Sequence, residues 1–91
     1  MVYKIKNYSF DQAKKLGVLI YPSKKKNKKI DVYKGNDFIC SIGDTRYDDF
    51  PTFYEEYGEE FANQRRKAYH QRHSKEDIEG TPGFYALRIL W

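Results

Sequence analysis

The sequence predicts an α+β fold: a three-stranded antiparallel β-meander covered on one face by C-terminal helices, with a short N-terminal helix. Three observations predict it. Residues 18–42 hold three β-rich runs separated by turn chemistry. Residues 52–73 have helical composition behind a capping signature. Aromatic residues, nine Tyr and six Phe among them, make up 18% of the chain, against 33% charged residues. That share takes the chain out of the disordered class, because aromatics bury large areas and disordered chains lack them. Ninety-one residues make one domain, 1–91, too short for a two-lobed enzyme.

The elements follow in order. Ser9 to Gly17 reads as a short helix, with Ser9 as N-cap, Gln12 completing a capping box and Gly17 in the left-handed C-terminal position. Val18 to Tyr21 is an apolar β run stopped by Pro22-Ser23. Lys24 to Lys29 has nothing to bury and reads as a loop. Ile30, Val32 and Lys34 alternate on one side of the next strand. Phe38, Cys40 and Ile42 do so on the third, and Gly35-Asn36-Asp37 forms the turn between them. After the polar loop 43–51, Thr52 and Glu55 stand at capping-box spacing, and Gly58 interrupts the helix they open. Tyr54, Tyr57, Phe61, Ala68 and Tyr69 fall near one face, the expected cover for the sheet. Thr81-Pro82 is a cap followed by Pro at the first helical position, which favours helix for 84–91, although Tyr85, Leu87, Ile89 and Trp91 also alternate as in a strand.

The net charge of +4 is unevenly spread: +8 over residues 1–34, −7 over 35–60 and +3 over 61–91. Such blocks pair with one another, or expose a basic face for a polyanion. The first basic element is the loop of Lys24, Lys25, Lys26, Lys28 and Lys29. Flexible ammonium groups at that density suit phosphates, though they also protect strand edges from aggregation. The second is the stretch carrying Arg65, Arg66, Lys67, His70, Arg72, His73 and Lys75. Its Arg66, His70 and His73 line up along a helix. The competing expectation is that the acids at 48–60 pair with these arginines. Tyr3, Tyr8, Tyr33, Tyr47 and Tyr85 cannot all enter so small a core, and tyrosines among cations suit base stacking and protein interfaces alike.

Other chemistries are poorly supplied. Cys40 is the single cysteine, so no internal disulfide or cysteine-based zinc site is expected, and mid-strand it reads as inert packing. His70 and His73 at i, i+3 would need further ligands to hold a metal. There is no phosphate-binding glycine loop, serine elbow or paired-carboxylate frame. The expectation is a binding module without catalytic residues or cofactors. No signal peptide and no membrane span are expected, hence no secretion and no membrane partner.

The C-terminal third carries a pattern: Arg66-x-x-Tyr69-x-x-Arg72-His73, Gly80-Thr81-x-Gly83-Phe84-Tyr85-Ala86, and Leu87-x-x-Leu90-Trp91. Upstream stand Val18-x-Ile20-x-Pro22-Ser23, Asp31-Val32-Tyr33, Ser41-Ile42-Gly43 and Tyr47-Asp48-Asp49-Phe50. Over residues 17–91 this resembles small basic proteins of large double-stranded DNA viruses of algae and amoebae, whose shared domain has no known function. The resemblance implies a viral origin, a setting in the virion or the host cytoplasm or nucleus, and no catalytic residue. Residues 1–16 lie outside it and read as an individual addition. The expected function is sequence-independent binding of nucleic acid, duplex or single strand, through the lysine loop and the Arg/His helix. The rival is a structural protein, such as a minor virion component, joined to viral structural proteins through its charge blocks.

Overall fold

The structure, a computed structural model, describes residues 3–91. Helix α1 (Asn7–Leu16) is followed by strands β1 (Leu19–Pro22), β2 (Ile30–Lys34) and β3 (Asp37–Ile42). Helices α2 (Phe50–Tyr57) and α3 (Glu59–His73), a short 3-10 turn and helix α4 (Pro82–Ile89) complete the chain. The strands form one antiparallel sheet in the order β1-β2-β3, and the α+β meander is as expected.

Alternation decides which side of the sheet is buried. Ile20, Ile30, Val32, Cys40 and Ile42 point to one face and pack with Ile5 and Ala13 from the N-terminal region and Ala86, Ile89 and Leu90 from the C-terminal one. The cover is therefore α4 together with α1. Helix α1 is built into the shared core and also serves α4. Ser9, expected as its N-cap, lies inside the helix, and its Oγ donates to the Ile89 carbonyl at 2.8 Å. Gln12 Nε2 donates to the Arg88 carbonyl at 2.9 Å. Both satisfy carbonyls at the end of α4 that have no partner within their own helix.

Helices α2 and α3 do not cover the sheet. Phe50, Phe53 and Ala62 form a second apolar cluster, joined by Tyr8 and Trp91. The expected face of Tyr54, Tyr57 and Phe61 is instead exposed, because the chain breaks at Gly58 (φ 92°) and the helical phase does not run through it. The cap of α2 lies three residues earlier than expected: Asp49 Oδ1 accepts from the Thr52 backbone N–H at 3.1 Å, with Pro51 in the first turn. Thr81 caps α4 as expected, accepting from Phe84 N–H at 3.3 Å, and Gly17 closes α1 in the left-handed conformation.

One departure in the sheet matters for function. Val32 pairs with Cys40 but Tyr33 pairs with Phe38, so Ile39 is an extra residue in β3. This bulge reverses the side-chain phase. Phe38, expected beside Cys40 and Ile42 in the core, shares the opposite face with Tyr33 and is 45% exposed.

Candidate nucleic-acid interface

The lysine loop is an ordered connection between β1 and β2. Ser23 N–H donates to the Lys29 carbonyl at 3.0 Å, Lys28 N–H to the Lys25 carbonyl at 3.2 Å, and Thr45 N–H to the Asn27 carbonyl at 3.1 Å. Asn27 takes the left-handed conformation that the turn requires (φ 66°), which asparagine tolerates better than most residues. From this frame Lys24, Lys25, Lys26 and Lys28 extend into solvent, and among the described residues none of them joins an ion pair.

Lys29 does not belong to that set. Its side chain turns inward, and its Nζ lies 2.8 Å from Asp49 Oδ2, with the whole residue 4% exposed. Asp49 also accepts from the Tyr3 hydroxyl at 2.6 Å. The physical reason is local: the next residue, Ile30, enters the core, and Asp49 is a buried carboxylate that needs a counter-charge. Burial pushes the Asp49 pKa up. The Lys29 ammonium and the hydrogen bonds from Lys29, Tyr3 and Thr52 outweigh it, so the net shift is downward. Burial, then the Asp49 charge, pushes the Tyr3 phenol upward.

Beside the loop lies the uncovered face of the sheet. Tyr21, Tyr33 and Phe38 stand in a row across all three strands, with ring centroids 5.5 Å apart at each step. The rings meet edge to face, at 83° and 73°. Lys25 reaches back from the loop and holds its Nζ 5.0 Å from the centre of the Phe38 ring. Tyr21 also lines the groove formed by Lys24, Lys25, Lys26 and Lys28. Asp31 is the one acid in this row; it accepts a hydrogen bond from Ser41 Oγ at 2.6 Å.

The Arg/His helix is used differently from expectation. The Arg65 guanidinium lies over Phe53 (5.3 Å) and that of Arg66 over Phe50 (4.1 Å), where Arg66 also donates to Asn63 Oδ1 at 2.9 Å. These arginines lie on the aromatic rings of α2. Among the described residues neither arginine forms an ion pair, with the acids at 48–60 or with any other carboxylate. His73 stacks on Tyr69 (4.1 Å) and bonds through Nδ1 to Glu76. His70 lies beside the Asp77–Arg88 pair. Lys67, Arg72 and Lys75 remain exposed.

Charges of both signs lie where the two basic elements approach each other. Between them runs the 43–49 loop, and a cleft of about 400 Å³ is lined by Asp44 and Asp48 as well as Arg65, Arg72, His73 and Trp91. Arg46 hydrogen-bonds Asp44 and holds its carboxyl down to about 2. Of the tyrosines expected to be surplus to the core, Tyr85 is buried, Tyr3 and Tyr8 are held by Asp49 and Phe50, Tyr33 belongs to the sheet row, and only Tyr47 is open. Tyr21 and Phe38 were missed. Neither lay among those tyrosines, and the bulge that exposes Phe38 has no glycine or proline to mark it.

Among the described residues no group of three or more His, Cys, Asp or Glu is placed to hold a metal ion, and no helix is long and apolar enough to cross a membrane. No family model matches the chain, and searches of curated proteins and of solved structures find no match either.

Proposed function

We propose that this protein binds nucleic acid without sequence preference, and that the lysine loop is its phosphate-contacting element. The observation that carries this reading is the state of Lys24, Lys25, Lys26 and Lys28: four cations presented from an ordered hairpin, none of them in an ion pair among the described residues. Ammonium groups so placed release counterions from a polyanion and read no base, so affinity should depend on salt and not on sequence. The α3 cations Lys67, Arg72 and Lys75 are assigned at most a secondary contact, since Arg72 shares its cleft with Asp44 and Asp48. Viral nucleic acid would be the natural ligand if the motif resemblance reflects descent.

An anisotropy titration at several salt concentrations tests the reading. Four phosphate contacts give a slope of log K against log salt of roughly −3 to −4 on duplex DNA. Replacing Lys24, Lys25 and Lys26 with Gln should make it shallower by about 2 to 3, equally for every sequence. Absence of binding to duplex and single strand at low salt would remove the proposal.

A second reading has its own support. Asp44 and Asp48 share a cleft with Arg65 and Arg72, and Glu55, Glu56, Glu59 and Glu60 form an exposed acidic patch. A structural role through protein contacts, as in a minor virion component, uses both signs of charge. Light scattering that shows salt-sensitive self-association or co-assembly without nucleic acid would favour it.

A further inference from the structure

Among the exposed aromatic side chains of the described residues two groups are clustered, and the charges that border them differ. One consists of Tyr54, Tyr57 and Phe61 on α2 and α3, next to Glu56, Glu59, Glu60 and the Lys6-paired Glu55, with Arg65 over the neighbouring Phe53 as its nearby cation. The other is the row of Tyr21, Tyr33 and Phe38 on the uncovered face of the sheet, next to the exposed lysines of the 24–28 loop. Cross-strand aromatic pairs stabilise a sheet, but a contiguous exposed apolar patch is also the mark of an interaction site. In β3 the outward position of Phe38 requires an extra residue.

We infer that the uncovered sheet face is a stacking platform for an unpaired nucleic-acid strand: its bases lie on Tyr21, Tyr33 and Phe38 while its phosphates run along Lys24, Lys25, Lys26 and Lys28. The inference rests on the nucleic-acid reading above and narrows it to single strands. Charge selects the occupant. A polyanion is drawn to the lysine-bordered row and repelled from the glutamate-bordered one. Geometry supports the mode. The rings meet edge to face, so each contact covers a face of only one ring of the pair, and the two outer rings, Tyr21 and Phe38, are 50% and 45% exposed. Two steps of 5.5 Å give room for about three bases in a row, the number that sheet platforms of this kind hold. Lys25 is already folded over the Phe38 ring, so one lysine of the loop and one ring of the row belong to a single surface. A duplex keeps its bases stacked inside and offers the row nothing, whereas every unpaired base has a face to give. Asp31, beside Tyr21 and Tyr33, is the unfavourable charge; Ser41 holds its carboxylate by a hydrogen bond, and strand phosphates would pass on the lysine side.

The test compares Tyr21→Leu and Phe38→Leu with wild type in anisotropy titrations against a short oligo(dT), an oligo(rU) and a duplex of equal length. Leucine keeps an apolar side chain on an exposed strand position, and circular dichroism confirms folding. Each change should weaken binding of both single strands about fivefold or more and leave duplex binding within about twofold, since stacking acts only on unpaired bases. Tyr57→Leu, in the acid-bordered group, should change none of the three. A strand carrying 5-iodouracil should crosslink under light to Tyr21, Tyr33 or Phe38. If both leucine variants bind oligo(dT) and oligo(rU) as wild type does, or crosslinks map only to α3, the platform is overturned while phosphate binding by the lysines stands. If the wild type binds none of the probes, both readings fall. A wild-type dimer in sedimentation that Phe38→Leu dissolves would assign the face to a second copy and likewise overturn the platform.

Discussion

Lys29 and Asp49 form an ion pair inside the fold, Nζ to Oδ2 at 2.8 Å, with side chains 5% and 1% exposed. The pair ties the start of β2 to the N-terminus of α2, whose backbone Asp49 also caps. Removing one partner leaves the other charge buried and uncompensated, which costs about 3–5 kcal/mol. Lys29→Gln and Asp49→Asn should each lower unfolding free energy on that scale in urea titrations, a large part of the roughly 5–15 kcal/mol a domain holds. Lys24→Gln, Lys25→Gln and Lys26→Gln should change it by less than about 0.5 kcal/mol, as surface substitutions do. A stable Lys29→Gln protein with weakened nucleic-acid binding would return Lys29 to the phosphate-contacting set.

The same cluster sets a pH dependence. The folded Asp49 pKa is depressed below its unfolded value of about 3.9. Its stabilisation is therefore present above that pH and is lost as pH falls through the folded value. Tyr3 is shifted the other way, so its contribution is full below its unfolded pKa of about 10 and declines as pH rises past it. Thermal melts across pH should show an acid loss below about pH 4 that Asp49→Asn removes, and an alkaline loss above about pH 10 that Tyr3→Phe removes. Acid and alkaline limbs unchanged in both variants would exclude the cluster as their source.

Several local rules read off the sequence were met, although the cap of α2 is Asp49 and not Thr52. Gly17 ends α1, Gly58 separates α2 from α3, and Thr81-Pro82 opens α4, because left-handed backbone and capping oxygens are set by one or two residues. The rest depended on partners distant in sequence. Ser9 looked like a cap but bonds to Ile89, eighty residues away. Lys29 looked like one lysine among five until Asp49 was placed beside it. Phe38 followed strict alternation only if β3 had no bulge. The candidate surface was thus half legible: the lysine loop is written in the composition, while its aromatic neighbour is created by a register shift.

Cys40 is buried in β3, and burial, then the charge of Asp31, pushes its thiol upward. A protonated, covered thiol reacts slowly. Native protein should label slowly with a thiol reagent and denatured protein at once. Cys40→Ala should cost about 1 kcal/mol, a small packing loss, without altering nucleic-acid binding. Rapid labelling of the folded protein would instead show an open, reactive thiol.

Leu90 and Trp91 follow α4, yet they should contribute unequally. Leu90 is 2% exposed in the main core, and its carbonyl accepts the Phe50 N–H at 3.0 Å, which fastens α2 to the end of the chain. Its Cδ1 also fills the space where a side chain on Gly43 would begin, at 2.7 Å from the Cβ position. Leu90→Ala should therefore cost about 2–5 kcal/mol through lost burial and a cavity. Gly43→Ala should destabilise from the other side, since φ there is 80° and the new methyl meets both Leu90 and Lys29. Trp91 is half-buried and lies nearly parallel to Tyr69, at 4.2 Å and 8°, joining the α2–α3 hairpin to α4. Trp91→Ala should cost less than full core burial of an aromatic, about 2 kcal/mol, and should change the near-UV dichroism that the stack produces. Deleting residues 90–91 should exceed either single change and cost about 3 kcal/mol or more, enough to unfold a marginal domain. A truncated protein that melts at the wild-type temperature would show that these residues do not hold the helices together, and would free Trp91 for a partner.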